Sequence, residues 1–240
     1  MSLQQIIGIL SGAFLATGAW AADINTLQSL AQSEFKNFAK DLTGALSYKG
    51  VAPAVPLGVT GFDVGLSLSG TQMKHSSLWQ KASGYDLSVL PVPKLHVSKG
   101  LPFGIDIGGF YTSVPTTNIK LWGAELKYAV LEGSALTPAV AVRGAYTKLD
   151  GVSQLSFDTQ SLELLISKGF VGVTPYGGVG VVRSKASATL PAPFTLSSES
   201  NTATKAFVGL NWNILLGNLA VEYDRTGSND TLSAKVGIRW

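Results

Sequence analysis

The segment that ends the chain places the strongest constraint on its fold. From Leu232 to Trp240 apolar and polar residues alternate without a break, the apolar ones being Leu232, Ala234, Val236, Ile238 and Trp240. Strict alternation predicts a β-strand with one apolar and one polar face. The same period of two recurs upstream to about Phe62, so a single pattern governs most of the chain.

Ten segments share this period. They are Val59–Gly70, Leu87–Ser98, Phe103–Thr112, Ile119–Val130, Pro138–Thr147, Leu155–Lys168, Val173–Ser184, Lys205–Leu215, Leu219–Asp224 and Thr231–Trp240. Between them, longer polar connections alternate with tight ones, and both chain ends fall on the tight side. An even number of strands with this alternation predicts an up-and-down antiparallel barrel.

Residues 1–21 have the pattern of a secretory signal. An apolar stretch from Leu10 to Ala19 is followed by Ala19-Trp20-Ala21, which fits the small-x-small cleavage rule. No Lys or Arg precedes the stretch, which departs from the usual pattern, and a retained anchor is the alternative. We therefore expect export through the Sec pathway and cleavage after Ala21. No later apolar run approaches the roughly 20 residues of a membrane helix.

Residues 22–58 form a separate region with a helical period. From Asp23 to Leu46 apolar residues recur every three or four positions, and the predicted apolar face carries Leu27, Leu30, Phe35, Phe38 and Leu42. Pro53 and Pro56 then predict an extended connector. We expect this helix near the short-turn mouth of the barrel, as a plug or a cover. An interfacial helix, a flexible leader and a partner-binding helix are alternatives.

The composition favours a barrel that faces lipid. Charged residues make up 14% of the chain, against about 25% in average soluble domains. The 240 residues include no Cys, which excludes disulfides and thiolate chemistry. A net charge of +3 is too small to indicate nucleic-acid binding.

The two faces of the predicted strands differ in kind. The expected outward face carries Phe62, Val64, Leu66 and Leu68; Trp122, Ala124, Leu126, Tyr128 and Val130; Val208, Leu210, Trp212 and Ile214; and Leu219, Val221 and Tyr223. The expected lumen face carries charges of both signs: Asp63, Lys94, Asp106, Glu125, Lys127, Arg143, Glu163, Arg183, Glu222, Lys235 and Arg239, with His96 and Asp224 among them. In a narrow barrel such charges form an ion-pair network that fills the lumen, or else line a polar conduit.

The terminal strand, with Val236, Ile238 and a final aromatic Trp240, resembles that of Gram-negative outer-membrane β-barrel proteins. The resemblance covers about residues 59–240 and implies an assembly signal at those three residues. It also implies an outer-membrane location. The partners it implies are outer-membrane lipids, lipopolysaccharide, the barrel assembly machinery and periplasmic chaperones, and it leaves the oligomeric state open.

We therefore predict an all-β transmembrane antiparallel barrel of about ten strands (eight to twelve), with domains at 1–21, 22–58 and 59–240. The expected function is non-enzymatic: either a narrow or helix-gated pore for small solutes, or a structural membrane protein. No cofactor is predicted, and no metal site is predicted because His96 has no His, Asp or Glu at metal-ligand spacing. The alternatives are a lipid-modifying enzyme that uses the loop residue His75, and a periplasmic lipocalin-like binding protein.

Overall fold

A computed structural model describes residue 24 and residues 26–84, 87–113 and 119–240. The predicted signal and the expected helix start at Asp23 lie outside these residues. Ten strands account for most of the described chain: Phe62–Gln72 (β1), Val89–Gly100 (β2), Ile105–Ser113 (β3), Lys120–Leu131 (β4), Ala139–Asp150 (β5), Leu155–Ser167 (β6), Val173–Ala188 (β7), Glu199–Ile214 (β8), Gly217–Thr226 (β9) and Asn229–Arg239 (β10).

The strands form one closed antiparallel barrel. Each strand pairs with its neighbours in sequence, and β1 pairs with β10 to close the sheet, with Asp63 opposite Arg239. The prediction of a ten-stranded up-and-down barrel is therefore confirmed. Closure leaves no strand without neighbours on both sides, although β2 pairs with β3 only from Leu95 to Gly100.

The barrel is apolar outside and polar inside. The outward residues Leu66, Leu126, Val208 and Leu219 are exposed, whereas the inward charges on the same strands are buried. A lipocalin-like soluble barrel would have the opposite distribution, with an apolar interior. That alternative is therefore wrong, because a surface of this kind is suited to lipid.

The connections at the two ends of the barrel differ less in length than the sequence pattern predicted. At the end that we call the long-loop mouth, residues 73–88 and 189–198 form long connections, but β9 and β10 are joined by Gly227 and Ser228 alone. The opposite end, which we call the short-turn mouth, carries the start of β1 and the chain terminus Trp240. Strands β7 and β8 extend to 16 residues each, which shortens the loops that the sequence pattern indicated.

Two helices pack at the long-loop mouth. The first, Gln32–Leu46 (α1), follows a single 3-10 turn at Leu27–Ser29, so the expected continuous helix is interrupted near Leu30. The second, Ser76–Ser83 (α2), lies within the β1–β2 connection and was not predicted. Neither helix has the length and apolar character required to cross a bilayer.

The N-terminal region passes along the inside of the barrel. Helix α1 contacts the long-loop ends of β7, β8 and β10, and residues 47–58, which we call the lumen segment, continue irregularly toward the short-turn mouth. There the chain turns into β1 at Phe62. The helix therefore lies near the long-loop mouth, and the expectation of a position near the short-turn mouth is wrong.

Candidate functional site

Helix α1 fills the long-loop end of the lumen with its apolar face. The side chains predicted for that face, with those of the preceding turn, are all buried: Leu27, Leu30, Phe35, Phe38 and Leu42. Phe38 packs on Trp79 of α2, with ring centroids 4.7 Å apart. Apolar barrel residues such as Phe157 and Leu121 complete this cluster. The helix is thus held mainly by hydrophobic burial, which contributes about 25 cal/mol per Å² of apolar surface removed from water.

A buried carboxylate ties α1 to the first loop. Asp41 is fully buried and accepts hydrogen bonds from the backbone N–H of His75 (2.9 Å) and from Nδ2 of Asn229 (3.2 Å). Its other contact is Nδ1 of His75, also at 3.2 Å. Asp41 therefore joins the helix, the β1–β2 loop and the start of β10, and the sequence analysis did not identify it.

The start of α1 is fixed by a surface contact. Glu34 accepts a hydrogen bond from the backbone N–H of Ala31 and pairs with Lys81 of α2. The hydrogen bonds from Lys81 and Ala31 hold the pKa of the Glu34 carboxyl below its ordinary value. Because this carboxyl is ionised near neutral pH, it also suits the positive end of the helix dipole.

The upper part of the lumen segment is bound by two charged residues of the wall. Lys205 donates to the backbone carbonyl of Tyr48 at 2.6 Å. Lys49, which is itself fully buried, lies 2.7 Å from Asp224. Neither Lys49 nor Lys205 was among the predicted site residues. Lys49 lies in a connector outside any predicted helix or strand. No periodic pattern in the sequence therefore indicates that its side chain points inward.

The lower part of the lumen segment is bound through its backbone. Lys127 donates to the carbonyl of Pro53 at 3.0 Å and also pairs with Asp106. Asp106 in turn accepts the N–H of Leu57 at 3.1 Å, and Ser167 accepts that of Val55 at 3.2 Å. The irregular backbone of the segment therefore finds its partners on the barrel wall, as buried backbone groups require.

Arg143 is the centre of the largest group of charges in the lumen. It donates through Nε and Nη2 to Glu163 and lies 3.5 Å from Glu125. Lys205 pairs with the second oxygen of Glu163 at 3.0 Å. These side chains are almost fully buried, so each must be compensated by its partners.

A second group of charges closes the seam between β1 and β10. Asp63 accepts from Lys235 at 2.8 Å and from Arg239 at 3.1 Å. Outside the barrel, the ring of Trp240 packs on Phe62, and their backbones exchange hydrogen bonds. Val236 and Ile238 are exposed on the same outer face. Their role as an assembly signal remains a prediction.

Two predicted lumen charges lie inside without a charged partner. Lys94 is 2% exposed, and its Nζ lies 4.6 Å from the ring centroid of Phe110, with no hydrogen-bond partner among the described residues. Glu222 is 1% exposed, and neither of its carboxylate oxygens has a hydrogen bond within the described chain. Lys235, on the neighbouring strand β10, pairs with Asp63. Burial without a close partner of opposite charge disfavours the ionised form of such groups.

The prediction for Arg183 is wrong. Its side chain is exposed on the outer face of β7, because Val182 and Ser184 occupy the inward positions on either side. The segment from Gly177 to Arg183 has valines at positions of both parities, so its apolar pattern does not decide which face points inward.

The ring of each histidine hydrogen-bonds to one side chain of the described structure. Asp41 orients the ring of His75, but no serine hydroxyl bonds to that ring in the described structure. His96 is buried and its Nε2 lies 2.8 Å from the hydroxyl of Ser67. Within the described ranges, no group of three or more His, Asp or Glu side chains is placed to hold a metal ion.

Three solved structures illustrate the similarity of the fold. The chain is 12% identical to the N-terminal β-barrel domain of Pseudomonas aeruginosa OprF, covering 76% of this chain and 99% of that one, with a TM-score of 0.37. It is 14% identical to the attachment invasion locus protein Ail of Yersinia pestis, covering 75% and 97%, with a TM-score of 0.37. A loop-deletion mutant of OmpT, an outer membrane protein of Vibrio cholerae, gives 12% identity, 62% and 54% coverage, and a TM-score of 0.32.

A family model matches almost all of the described chain. No curated protein sequence matches this chain. The family model spans residues 31–240, so it includes α1 and the lumen segment as well as all ten strands. The helix, the segment and the barrel are therefore one unit at the level of the family. The chain belongs to the family of unknown function DUF6588, and its architecture here is a closed ten-stranded antiparallel β-barrel.

Proposed function

We propose that the protein is a non-enzymatic outer-membrane barrel that acts as a gated pore for small polar solutes. In the closed state, α1 and the lumen segment occupy the conduit. The short-turn mouth faces the periplasm and the long-loop mouth faces the exterior, as in other barrels of this class. Opening requires the N-terminal region to leave its place along the wall.

The observation that carries the proposal is the charge of the wall behind the lumen segment. Lys127 and Asp106 bind the backbone of the lumen segment. Lys205, which pairs with Glu163, donates a hydrogen bond to the carbonyl of Tyr48 in the same segment. Removal of the segment would leave a lumen lined by ionised groups of both signs. Rings of charged side chains select small hydrophilic solutes in membrane pores.

Single-channel conductance in planar bilayers tests the proposal. The full chain is expected to be silent, and a variant lacking residues 23–58, which removes both α1 and the lumen segment, is expected to give discrete current steps. A point variant, Phe38→Asp, places a charge in the apolar cluster around Trp79 and is expected to produce openings for the same reason.

The matched control is Lys36→Asp, which puts the same side chain on an exposed position of the same helix. It should remain silent. If the deletion variant folds but passes no current, the lumen is closed by its own wall. Transport is then rejected in favour of a structural membrane role.

A further inference from the structure

The turns at the short-turn mouth are unusually apolar. Their exposed tips, which we call the short-turn rim, are formed by Phe103, Leu136, Phe170, Val171, Leu215 and Leu216. Leu136 is 91% exposed and Leu215 is 97% exposed. All four short turns contribute, so the rim surrounds the whole mouth. Turns that stand in water are normally built from polar residues, and an apolar ring of this size needs a covering.

The rim is continuous with the lipid-facing surface of the barrel. On β8, exposed apolar side chains continue from Val208 through Leu210 to Ile214, and the turn residues Leu215 and Leu216 follow directly. On β6, Leu162, Leu164 and Ile166 lead in the same way toward Phe170. Between the belt and the rim, the polar side chains that reach the surface on these strands are those of Asn213 and Lys168.

The length of the apolar belt places the membrane at this end of the barrel. On β7 the outward face runs from Val173 to Val181 before the first exterior charge, Arg183. Nine strand residues at about 3.4 Å each, tilted by about 40°, span roughly 23 Å along the barrel axis. A transmembrane barrel needs an apolar band of about 25 Å. The belt reaches that height only if it extends down to the rim.

Exterior charges are more numerous at the opposite end, whereas the short-turn end carries Lys99, Glu132 and Lys168. Lys120, Lys148, Arg183 and Arg225 are charged residues on the outer face near the long-loop ends of their strands. The barrel therefore has one outer end suited to water and one suited to lipid.

The two lysines near the rim donate hydrogen bonds to backbone carbonyls. Lys168 donates to the carbonyls of Ser134, Ala135 and Thr137 in the neighbouring turn. Lys99 donates to carbonyls at the start of β1, including that of Gly61 at 3.3 Å. Backbone carbonyls in a water-poor environment need partners within the protein, and these two ammonium groups supply them.

The turn between β4 and β5 is hydrogen-bonded internally as well. The hydroxyl of Ser134 accepts the N–H groups of Leu136 and Thr137, both at 3.1 Å. Leu136 is thus presented outward on a turn whose own backbone is largely satisfied. This combination of apolar tips and internally bonded backbone fits lipid as the surrounding medium.

We propose that the short-turn rim is a membrane-binding surface that inserts into the leaflet on its own side of the bilayer. The occupant of the apolar ring is lipid. The mouth then opens at the boundary between hydrocarbon and head groups, and the turns do not project into the aqueous compartment.

Spin labels on the full chain in phospholipid vesicles test the depth of the rim. The protein has no Cys, so single variants Leu216→Cys and Val171→Cys each carry one label. Collision with molecular oxygen, which concentrates in hydrocarbon, is compared with collision with a water-soluble nickel chelate. The matched control is Ser228→Cys, on the exposed two-residue turn at the long-loop mouth.

The expected oxygen-to-nickel accessibility ratio is several-fold higher at both rim positions than at Ser228. Retained heat-resistant migration in detergent gels confirms that each variant is folded. Nickel accessibility at Leu216 and Val171 equal to that at Ser228 would place the rim in water and overturn the proposal. The apolar ring would then be available to a periplasmic protein.

Discussion

Arg143 shows how a single residue organises the lumen. Its guanidinium is held by Glu163 and Glu125 and lies 5.9 Å from the ring centroid of Tyr48. A Cβ at Gly50 would overlap that guanidinium, so any larger residue at this position would require Arg143 to shift. The ion pair and the path of the chain thus depend on each other.

Substitution of Arg143 by Met is expected to lower the free energy of unfolding by about 3–5 kcal/mol, since it leaves buried carboxylates without their main partner. The control is Arg183→Met, because Arg183 is exposed on the outer face and should change stability by about 0.5 kcal/mol or less. Urea titration of both variants in detergent micelles measures the difference. Equal midpoints would show that the lumen charge network does not stabilise the barrel.

Single residues also mark where sequence patterns stop being informative. The inward positions of Arg143 and Glu163 followed from clear alternation along β5 and β6. Arg183 lies in a Gly- and Val-rich strand in which both faces are equally apolar, so its position depends on register with β6 and β8. Lys49 lies in no periodic element at all, and only the folded chain brings it to Asp224.

At the scale of elements, strands were easier to predict than the placement of helices. Each strand has its own period-two signal, and closure of the sheet follows from their number. The amphipathic pattern of α1 specifies that one face is buried, but not against which surface. The helix α2 has only eight residues and is followed by Gly84, whose φ is 79°. So short an element carries little periodic signal.

The ion pair between Glu34 of α1 and Lys81 of α2 is expected to depend on pH. The Glu34 carboxyl has an ordinary pKa of 4.5, and the hydrogen bonds from Lys81 and Ala31 lower it. The contact is therefore present above the ordinary pKa and is lost as the pH falls through the lowered one. Carboxyl ¹³C chemical shifts in micelles measure this midpoint.

In the variant Lys81→Met, the midpoint for Glu34 should rise toward its ordinary value, although the Ala31 N–H still donates to the carboxylate. An unchanged midpoint would show that Lys81 does not hold the start of the helix. Lys36→Met on the same helix serves as the control, since Lys36 is exposed.

At the scale of the whole molecule, the path of the chain predicts its topology in the membrane. The described N-terminal residues lie at the long-loop mouth, where Gln32 bonds to Ser197 and Glu199 of the β7–β8 region. The strand β1 nevertheless begins at the opposite mouth. If the short turns face the periplasm, the N-terminal region is displayed outside the cell.

A cysteine at Ser33, an exposed position in the first turn of α1, is therefore expected to react with a membrane-impermeant maleimide on intact cells. A cysteine at Val59, exposed at the short-turn mouth, should react only after the outer membrane is permeabilised. The reverse result would invert the orientation. Labelling of both sites on intact cells would contradict a closed lumen.

The lumen segment also has the character of an intramolecular ligand. Because it is covalently joined to β1, its effective concentration at the wall is on the order of millimolar or higher, whatever the abundance of the protein. A free solute that competes for Lys127, Lys205 and Asp106 faces this tethered occupant at all times. Mass action by dilute solutes is therefore a weak way to open the barrel. An agent that binds the exposed first turn of α1, at Gln32 and Ser33, acts on the tether itself and has the larger effect.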